Sequence, residues 1–157
     1  MTRPFRQIAA AIRPVAALPD RTARMQAVAD ALWHALAATG VSWVGFYLPD
    51  VPVDGPARLV LGPRRDKPAC SPIGLHGVCG QAFTQRRPMV VKDVATLGAN
   101  YVACDPRDFS EVVVPLLESN GGCWGVLDLD SHELGAFDDA DVTGLQEVLR
   151  AARLMAP

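Results

Sequence analysis

The stretch that decides the fold is residues 111–130, E-V-V-V-P-L-L-E-S-N-G-G-C-W-G-V-L-D-L-D. Residues 111–117 and 123–130 are runs rich in apolar side chains, and the polar, glycine-containing residues 119–122 separate them. Two such runs around a short turn are typical of an antiparallel β-hairpin. Pro115 has no backbone N–H to donate to a neighbouring strand, so we expect an edge or a bulge at this position.

Alternation of side chains along the second strand of this hairpin separates two acids from a cysteine. One face carries Trp124, Val126, Asp128 and Asp130, and the other carries Cys123, Gly125, Leu127 and Leu129. Two acids at the end of an apolar strand either meet solvent or line a polar pocket, and the strand alone favours neither interpretation. Because Cys123 lies on the face without acids, we interpret it as a structural thiol in the core.

A further strand is predicted at residues 41–48, V-S-W-V-G-F-Y-L, from its β-branched and aromatic residues. Its alternation places Trp43, Gly45 and Tyr47 on one face. Two aromatic side chains that flank a glycine can form the wall of a pocket, because the missing side chain leaves room between them. The same residues can also pack in the core, and this strand alone favours core packing. Residues 58–62 are predicted to pair with it in a second hairpin.

Helices are predicted before and after the strands. Residues 21–39 form a helix that begins after the N-cap Asp20, and residues 4–17 and about 139–154 form two more. Strands bracketed by helices indicate an α+β fold, in which an antiparallel sheet has helices packed on one side. Long loops then cover the other side, where a pocket can form between them and the sheet.

Length and composition indicate one globular domain over residues 1–157, with N-terminal helices at about 4–39, the sheet and its loops at 41–131, and a C-terminal helix. Half of the residues are apolar, and the formal net charge of −2 gives no general attraction to nucleic acid or anionic lipid. No apolar run approaches the roughly 20 residues of a membrane span. Arg13 and Pro14 cut short the N-terminal apolar segment, so we do not expect it to act as a secretory signal. We expect a cytoplasmic protein that binds neither membranes nor nucleic acid.

Four cysteines are the candidates for chemistry: Cys70, Cys79, Cys104 and Cys123. A cytoplasmic chain keeps its thiols reduced, so a structural disulfide framework is not expected. The sequence has no C-x-x-C pair and no His/Cys cluster at ligand spacing, so no metal site is predicted. Cys79 is placed in the first turn of a short helix at residues 78–85, where the helix dipole is expected to lower the pKa of its thiol.

Cys104 lies in the irregular segment 95–108, close in sequence to Asp105, Asp108 and Glu111. Connections of this length tend to be functional lids or binding loops. Reactive groups usually lie on loops that a rigid scaffold holds in place. Cys104 is therefore the first candidate for a reactive thiol.

Five motifs resemble one known family. They are W-V-G-F-Y-L, A-C-S-P-I, G-V-C-G-Q-A, V-A-C-D-P-R-D-F-S-E-V-V-V-P and G-V-L-D-L-D-S, and they run from Trp43 to the final helix. These motifs resemble those of the free methionine-R-sulfoxide reductases, which are stand-alone GAF-domain enzymes. The resemblance implies a GAF-like sheet with a loop-covered pocket and an oxidoreductase that reduces free L-methionine-R-sulfoxide to methionine.

The resemblance also implies a role for each candidate residue. Cys104 is the catalytic thiol, and Cys70 or Cys79 supplies the resolving thiol that forms a disulfide with it. We favour Cys70, because its loop is polar and should be the more mobile. The resemblance further implies that no cofactor is bound and that thioredoxin donates the electrons. The residues implied to bind the substrate are Trp43, Tyr47, Glu111, Asp128 and Asp130.

Two other functions are open at the level of sequence. The domain can be a non-catalytic GAF sensor of a small molecule, or a dimerisation module whose thiols are incidental. Apolar stripes on the outer helices allow a homodimer under each of these interpretations. Only the enzyme requires a reactive Cys104, so this thiol discriminates between the three.

Overall fold

The structure is a computed structural model that describes residues 2–157. Within that range there are four α-helices: α1 Phe5–Ile12, α2 Arg21–Leu36, α3 Val78–Gln85 and α4 Asp139–Ala151. The six β-strands of the same range are β1 Val41–Asp50, β2 Arg58–Arg65, β3 Ile73–Gly74, β4 Met89–Val91, β5 Ser110–Leu117 and β6 Cys123–Ser131. None of these helices is both long and apolar enough to cross a membrane.

All six strands form one antiparallel sheet, in the order β3-β2-β1-β6-β5-β4. The predicted hairpin of residues 111–130 is the pair β5 and β6 in this sheet. Val112 pairs with Leu129 and Val114 pairs with Leu127, so the two apolar runs lie side by side. Strand β1 pairs with the other edge of β6, which places the hairpin and β1 at the centre of the sheet.

The hairpin has a bulge next to Pro115, but the extra residue lies in β6 and not in the strand of Pro115, where it was expected. Pro115 pairs with Val126 and Leu117 pairs with Cys123, so β6 has two residues where β5 has one. The extra residue reverses the alternation at the start of β6. Trp124 therefore packs against the core on the helix side, and the prediction that it shares a face with the acids is wrong.

Cys123 is not the core thiol that strict alternation predicts. Its side chain is half-buried and belongs to neither of the two clusters of buried apolar side chains. Its Sγ lies 3.2 Å from the carbonyl oxygen of Gly125 in the same strand. The bulge explains the difference, because residue 123 lies beyond the inserted position.

The face of the sheet that the helices cover forms the main core. Helices α1, α2 and α4 pack there against Phe46 of β1 and against Leu127 and Leu129 of β6, each at most 1% exposed. Helices α1 and α4 approach closely at Gly144, where a Cβ would lie 2.1 Å from Cδ2 of Phe5. This close contact joins the two ends of the chain.

The helix boundaries follow local signals in the sequence. Asp20 caps α2, since its side chain accepts a hydrogen bond from the backbone N–H of Thr22. A short 3-10 turn extends α2 and ends at Gly40, which has a φ of 94°. The predicted N-terminal helix is interrupted around Pro14: α1 ends before it, and Arg13–Ala17 is a 3-10 turn.

The opposite face of the sheet is covered by α3 and by long loops. Val78 and Ala82 of α3 pack there against Val113 and Val126 of the central hairpin, in a second and smaller core. The predicted α+β fold, with helices on one side of an antiparallel sheet and a loop-covered pocket on the other, is confirmed. One short helix, α3, belongs to the pocket side.

Candidate active site

Three carboxyl groups meet on the face of the sheet opposite the main core. Glu111 of β5 pairs with Asp130 of β6, and Asp128 of β6 pairs with Gly45 of β1. Glu111 and Asp128 are buried, at 6% and 5% exposure, whereas Asp130 is half-buried. The register of three neighbouring strands thus brings together all three acids that the sequence singles out, and they line one cavity.

Trp43 and Tyr47 of β1 line the same cavity, and the glycine between them makes room for one of the rings. A Cβ at Gly45 would lie 2.1 Å from Cη2 of Trp43, so the indole fills the space that a side chain would take. The centroids of the two aromatic rings are 6.1 Å apart. The aromatic pair therefore forms one wall of the cavity as well as part of the smaller core.

The aromatic pair also fixes the loop between β2 and β3. The indole Nε1 of Trp43 donates a hydrogen bond to the carbonyl oxygen of Lys67 at 2.9 Å. The hydroxyl of Tyr47 donates to the carbonyl oxygen of Cys70 at 2.8 Å. Burial, with the charge of Asp128 as a second cause, raises the pKa of Tyr47, so its hydroxyl stays a donor. Strand β1 thus positions the backbone on which Cys70 lies.

A disulfide joins Cys70 to Cys104, which are 34 residues apart in the sequence. Their Cα atoms are 5.4 Å apart, within the usual range for this bond. Cys104 is exposed and lines the cavity, and Cys70 is half-buried. Cys79 and Cys123 are free thiols. Of the two candidate partners of Cys104, the structure joins Cys70 to it.

An ion pair next to the disulfide links the same two loops. Lys67 donates a hydrogen bond to Asp105 at 3.1 Å, and Arg107 donates to the same carboxylate through Nε and Nη2. The hydrogen bonds from Arg107, helped by Lys67, lower the pKa of Asp105. Nε2 of His132 lies 3.6 Å from this carboxylate. Asp105 is thus an ionised anchor between the loop of Cys70 and the loop of Cys104.

Burial raises the pKa of all three cavity acids above their ordinary values. The charge of Asp130 adds to the shift of Glu111, and the charge of Glu111 adds to that of Asp128, because neighbouring carboxylates oppose a second negative charge. Within residues 2–157, no lysine or arginine lines the cavity, and Oδ1 of Asp128 has no hydrogen-bond partner. The floor of the cavity therefore retains protons and offers a place to a cation.

The structure contradicts the prediction of a lowered pKa for Cys79. Cys79 does lie in the first turn of α3, but it is buried at 4% exposure. Burial, followed by the charges of Asp128 and Glu111, raises its pKa well above the usual value. His76, which is close to Cys79 in the sequence, is exposed and does not line the cavity, so it does not offset these acids. Desolvation and nearby acids thus outweigh the dipole of a two-turn helix.

Two residues with polar side chains that the sequence did not single out for binding also line the cavity. Tyr101 precedes Cys104 in the same loop. Asp108, which the sequence analysis noted only as a neighbour of Cys104, is buried, and Ser42 donates a hydrogen bond to it at 3.3 Å. Burial raises the pKa of Asp108, and the charge of Asp105 adds to the shift. Both residues could have been proposed from the sequence, because they lie in the same loop as the candidate thiol Cys104 and flank it.

The cavity is small, about 40 Å³ with the disulfide closed. That is space for roughly three water molecules, since a water needs about 10–15 Å³, so a larger ligand requires the loops that carry the disulfide to move apart. Chemically, the arrangement can hold a small cationic molecule between aromatic rings and acids, next to a pair of cysteines that can be oxidised and reduced.

Comparison with known proteins gives consistent relatives. A sequence model of the GAF domain matches residues 20–155. The chain is 34% identical over 122 residues to the free methionine-R-sulfoxide reductase of Saccharomyces cerevisiae, in a match that covers 76% of this chain and 66% of the relative. The chain thus spans just under two thirds of that relative's length.

Two solved structures share the fold over nearly the whole chain. One is the free methionine-R-sulfoxide reductase of Neisseria meningitidis in complex with its substrate, with 36% identity and a TM-score of 0.81 over 96% of this chain and 89% of that one. The other, a candidate GAF sensor protein from Burkholderia vietnamiensis, has 37% identity and the same TM-score over 94% and 90%.

Proposed function

This chain belongs to the GAF domain family, and from this premise we propose that it is a free methionine-R-sulfoxide reductase, a thiol-dependent oxidoreductase that converts free L-methionine-R-sulfoxide to methionine. The observation that carries the proposal is the Cys70–Cys104 disulfide beside a cavity with three carboxyl groups. Relatives from yeast and Neisseria that bear this name support it. A ligand sensor needs the cavity but not the pair of thiols beside it.

The acids of the cavity receive the ammonium group of the substrate. Glu111, Asp128 and Asp130 are desolvated and have no lysine or arginine beside them in the cavity lining, so a cation relieves their mutual repulsion. A methionine sulfoxide within a polypeptide has no free ammonium group. The floor therefore favours the free amino acid, and Trp43 and Tyr47 shape the pocket around its methyl group.

Cys104 carries out the reduction. Its thiolate attacks the electrophilic sulfoxide sulfur while a carboxyl group protonates the oxygen. The S–O bond of the substrate breaks, the oxygen passes to Cys104 as a sulfenic acid, and methionine leaves. Glu111 and Asp128 are suited to supply the proton, because their raised pKa values keep one available.

Cys70 then resolves the oxidised cysteine. Its thiol attacks the sulfenic sulfur of Cys104, water leaves, and the disulfide forms. Thioredoxin reduces this disulfide by thiol–disulfide exchange in the cytoplasm, so the cycle needs no bound cofactor. Cys79 lines the cavity as a free thiol, and we assign the resolving role to Cys70 because Cys70 is bonded to Cys104.

An epimer-resolved turnover assay tests the proposal. The reduced protein is mixed with thioredoxin, thioredoxin reductase and NADPH, and receives either the R or the S epimer of free L-methionine sulfoxide. We expect NADPH oxidation with the R epimer only. If dithiothreitol supports turnover and thioredoxin does not, the result would reject thioredoxin as the electron donor but keep the proposed reaction. No methionine from either epimer, with a folded protein and reduced thiols, would reject the enzyme and favour the ligand sensor.

A further inference from the structure

Cys79 is a buried thiol that the proposed reaction leaves unused. Its Sγ and one carboxyl oxygen each of Glu111 and Asp128 lie within 4.8 Å of one another. The three side chains come from α3, β5 and β6, and each residue is at most 6% exposed. A thiol and two carboxyl groups thus converge at the floor of the cavity from three separate elements.

One carboxyl oxygen of this cluster lacks a hydrogen-bond partner. Oδ1 of Asp128 is buried and has no hydrogen-bond partner within residues 2–157. A buried carboxyl oxygen without a partner costs free energy until a proton, a donor or a cation reaches it. Lysine and arginine are absent from the described residues that line the cavity, so this chain supplies no such cation there.

We propose that Cys79, Glu111 and Asp128 form a Zn²⁺-binding site, and that the bound ion blocks the pocket. A thiolate with two carboxylates suits Zn²⁺, whereas Mg²⁺ and Ca²⁺ prefer sites made of oxygen ligands alone. Three protein ligands leave a fourth tetrahedral position for water, directed into the cavity. The thiol proton of Cys79, and any proton held by Glu111 or Asp128, passes to solvent as the ion binds.

The geometry needs little change to accept the ion. Zn–S bonds of about 2.3 Å and Zn–O bonds of about 2.1 Å place tetrahedral ligand atoms roughly 3.5 Å apart. The three ligand atoms already lie within 4.8 Å, so side-chain movements on the order of 1 Å are sufficient. Sequence spacing did not indicate the site, because the three ligands are brought together only by the fold.

A second cluster provides an internal control. Asp105, Asp108 and His132 also have ligand atoms within 4.8 Å of one another. This cluster contains no thiol, and its Asp105 already accepts hydrogen bonds from Lys67 and Arg107. The two cations satisfy the charge that a metal ion would otherwise neutralise. Binding at this second cluster is the alternative that the experiment must separate from the proposed site.

The site can be tested by titrating the oxidised protein with Co²⁺, a spectroscopic substitute for Zn²⁺. Because Cys70 and Cys104 are joined in the disulfide, only Cys79 and Cys123 can supply a thiolate. We expect one Co²⁺ per chain, a thiolate-to-cobalt charge-transfer band, and loss of that band when Zn²⁺ is added. No band at saturating Co²⁺ would overturn the proposal.

Matched variants locate the ligands. Cys79→Ser should abolish the charge-transfer band, and Glu111→Gln should weaken binding at least about tenfold. Cys123→Ser and His132→Gln should leave both the band and the affinity unchanged. A band that persists in Cys79→Ser, or that disappears in Cys123→Ser, would overturn the proposal. If Cys79→Ser fails to fold, which its circular dichroism would show, Cys79→Ala replaces it in the same comparison.

The effect on catalysis rests on the proposed function, whereas the binding does not. Zn²⁺ at Glu111 and Asp128 should occupy the place of the substrate ammonium group. Single-turnover methionine formation, with no other thiol present, should fall with added Zn²⁺ and recover with excess R epimer. A cobalt band through Cys79 in a protein without reductase activity would reject the function and keep the site. Reductase turnover in a protein that binds no metal would keep the function and reject the site.

Discussion

The two faces of the central sheet differ in character, although the same strands supply both. On β6, Leu127 and Leu129 lie in the core beneath α1, α2 and α4, while Asp128 and Asp130 at the alternate positions line the cavity. The helix-covered face is closed and apolar. The pocket face carries buried acids, aromatic rings and thiols. The alternation of side chains along one strand therefore places residues that stabilise the core on one face and candidate catalytic residues on the other.

Buried acids on the pocket face oppose folding when the pH rises. Their pKa values are raised in the folded state, so between the ordinary carboxyl pKa near 4 and the raised value the folded protein binds more protons than the unfolded chain. The unfolding free energy therefore falls as pH increases through that window. The apolar cluster beneath α1, α2 and α4 contains no ionisable side chain, so it adds no such dependence.

The largest effect is expected for the thiol on the pocket face. Cys104→Ser should lower reductase turnover by several orders of magnitude, because an alcohol is a poor nucleophile toward the sulfoxide sulfur. The melting temperature of the reduced protein should not change, since Cys104 is exposed. Cys123→Ser is the matched control and should keep full turnover. Normal activity in Cys104→Ser would contradict the assignment of the nucleophile.

Removing one acid should separate activity from stability. Asp128→Asn should lower turnover by about 10²–10⁴, the usual contribution of general acid–base catalysis. The same variant should unfold at a higher temperature than the wild type above pH 7, and the gain should disappear near pH 4. Each 1 kcal/mol gained corresponds to about 2–4 °C for a chain of this size. Thermal unfolding from pH 4 to pH 9 measures the effect, and a variant less stable at every pH would contradict it.

A substitution on the other face of the same strand should show the opposite pattern. Leu127→Ala should reduce the unfolding free energy by about 2–5 kcal/mol, because Leu127 is fully buried beneath the helices. Turnover per folded molecule should stay near that of the wild type at 15 °C. Urea unfolding gives the stability. A loss of specific activity as large as that of Asp128→Asn would show that the two faces are not independent.

The smallest effect is expected for the ion pair between the two loops. Lys67→Met should slow formation of the Cys70–Cys104 disulfide by about 1.4- to fivefold, since partly exposed ion pairs contribute about 0.2–1 kcal/mol. Lys67→Arg should restore the rate. The rate is measured by oxidising the reduced protein, quenching samples at successive times and determining the disulfide-bonded fraction by mass spectrometry. A rate in Lys67→Met equal to that of the wild type would exclude a positioning role for the pair.

Patterns that depend on neighbouring residues predicted much of this molecule. Alternation placed Trp43 and Tyr47 on one face and the acids of β6 on one face, because the period of a strand is local. It failed at Cys123 and Trp124, where the bulge inserts one residue into β6. Pro115 indicated an edge or a bulge in its own strand, whereas the extra residue lies in the partner strand β6.

The properties that the sequence did not predict depend on residues that only the tertiary fold brings together. The position of Cys79 at the start of α3 was predicted, yet its pKa was not, since that depends on Asp128 and Glu111 from other strands. For the same reason the cluster of these three residues has no signal in the sequence spacing. The hydrogen bond from Tyr47 to the backbone of Cys70 could not be predicted from the sequence either, because any residue can supply the carbonyl group that accepts it.

One experiment tests the central claim most directly: a single turnover of the reduced protein with free L-methionine-R-sulfoxide and no reductant. We predict one methionine per chain, and a fall in free thiols from four to two, with Cys70 and Cys104 joined and Cys79 and Cys123 unchanged. Peptide mapping under acid quench identifies the bonded pair. Methionine without loss of these two thiols, or a disulfide through another cysteine, would contradict the division of roles described here.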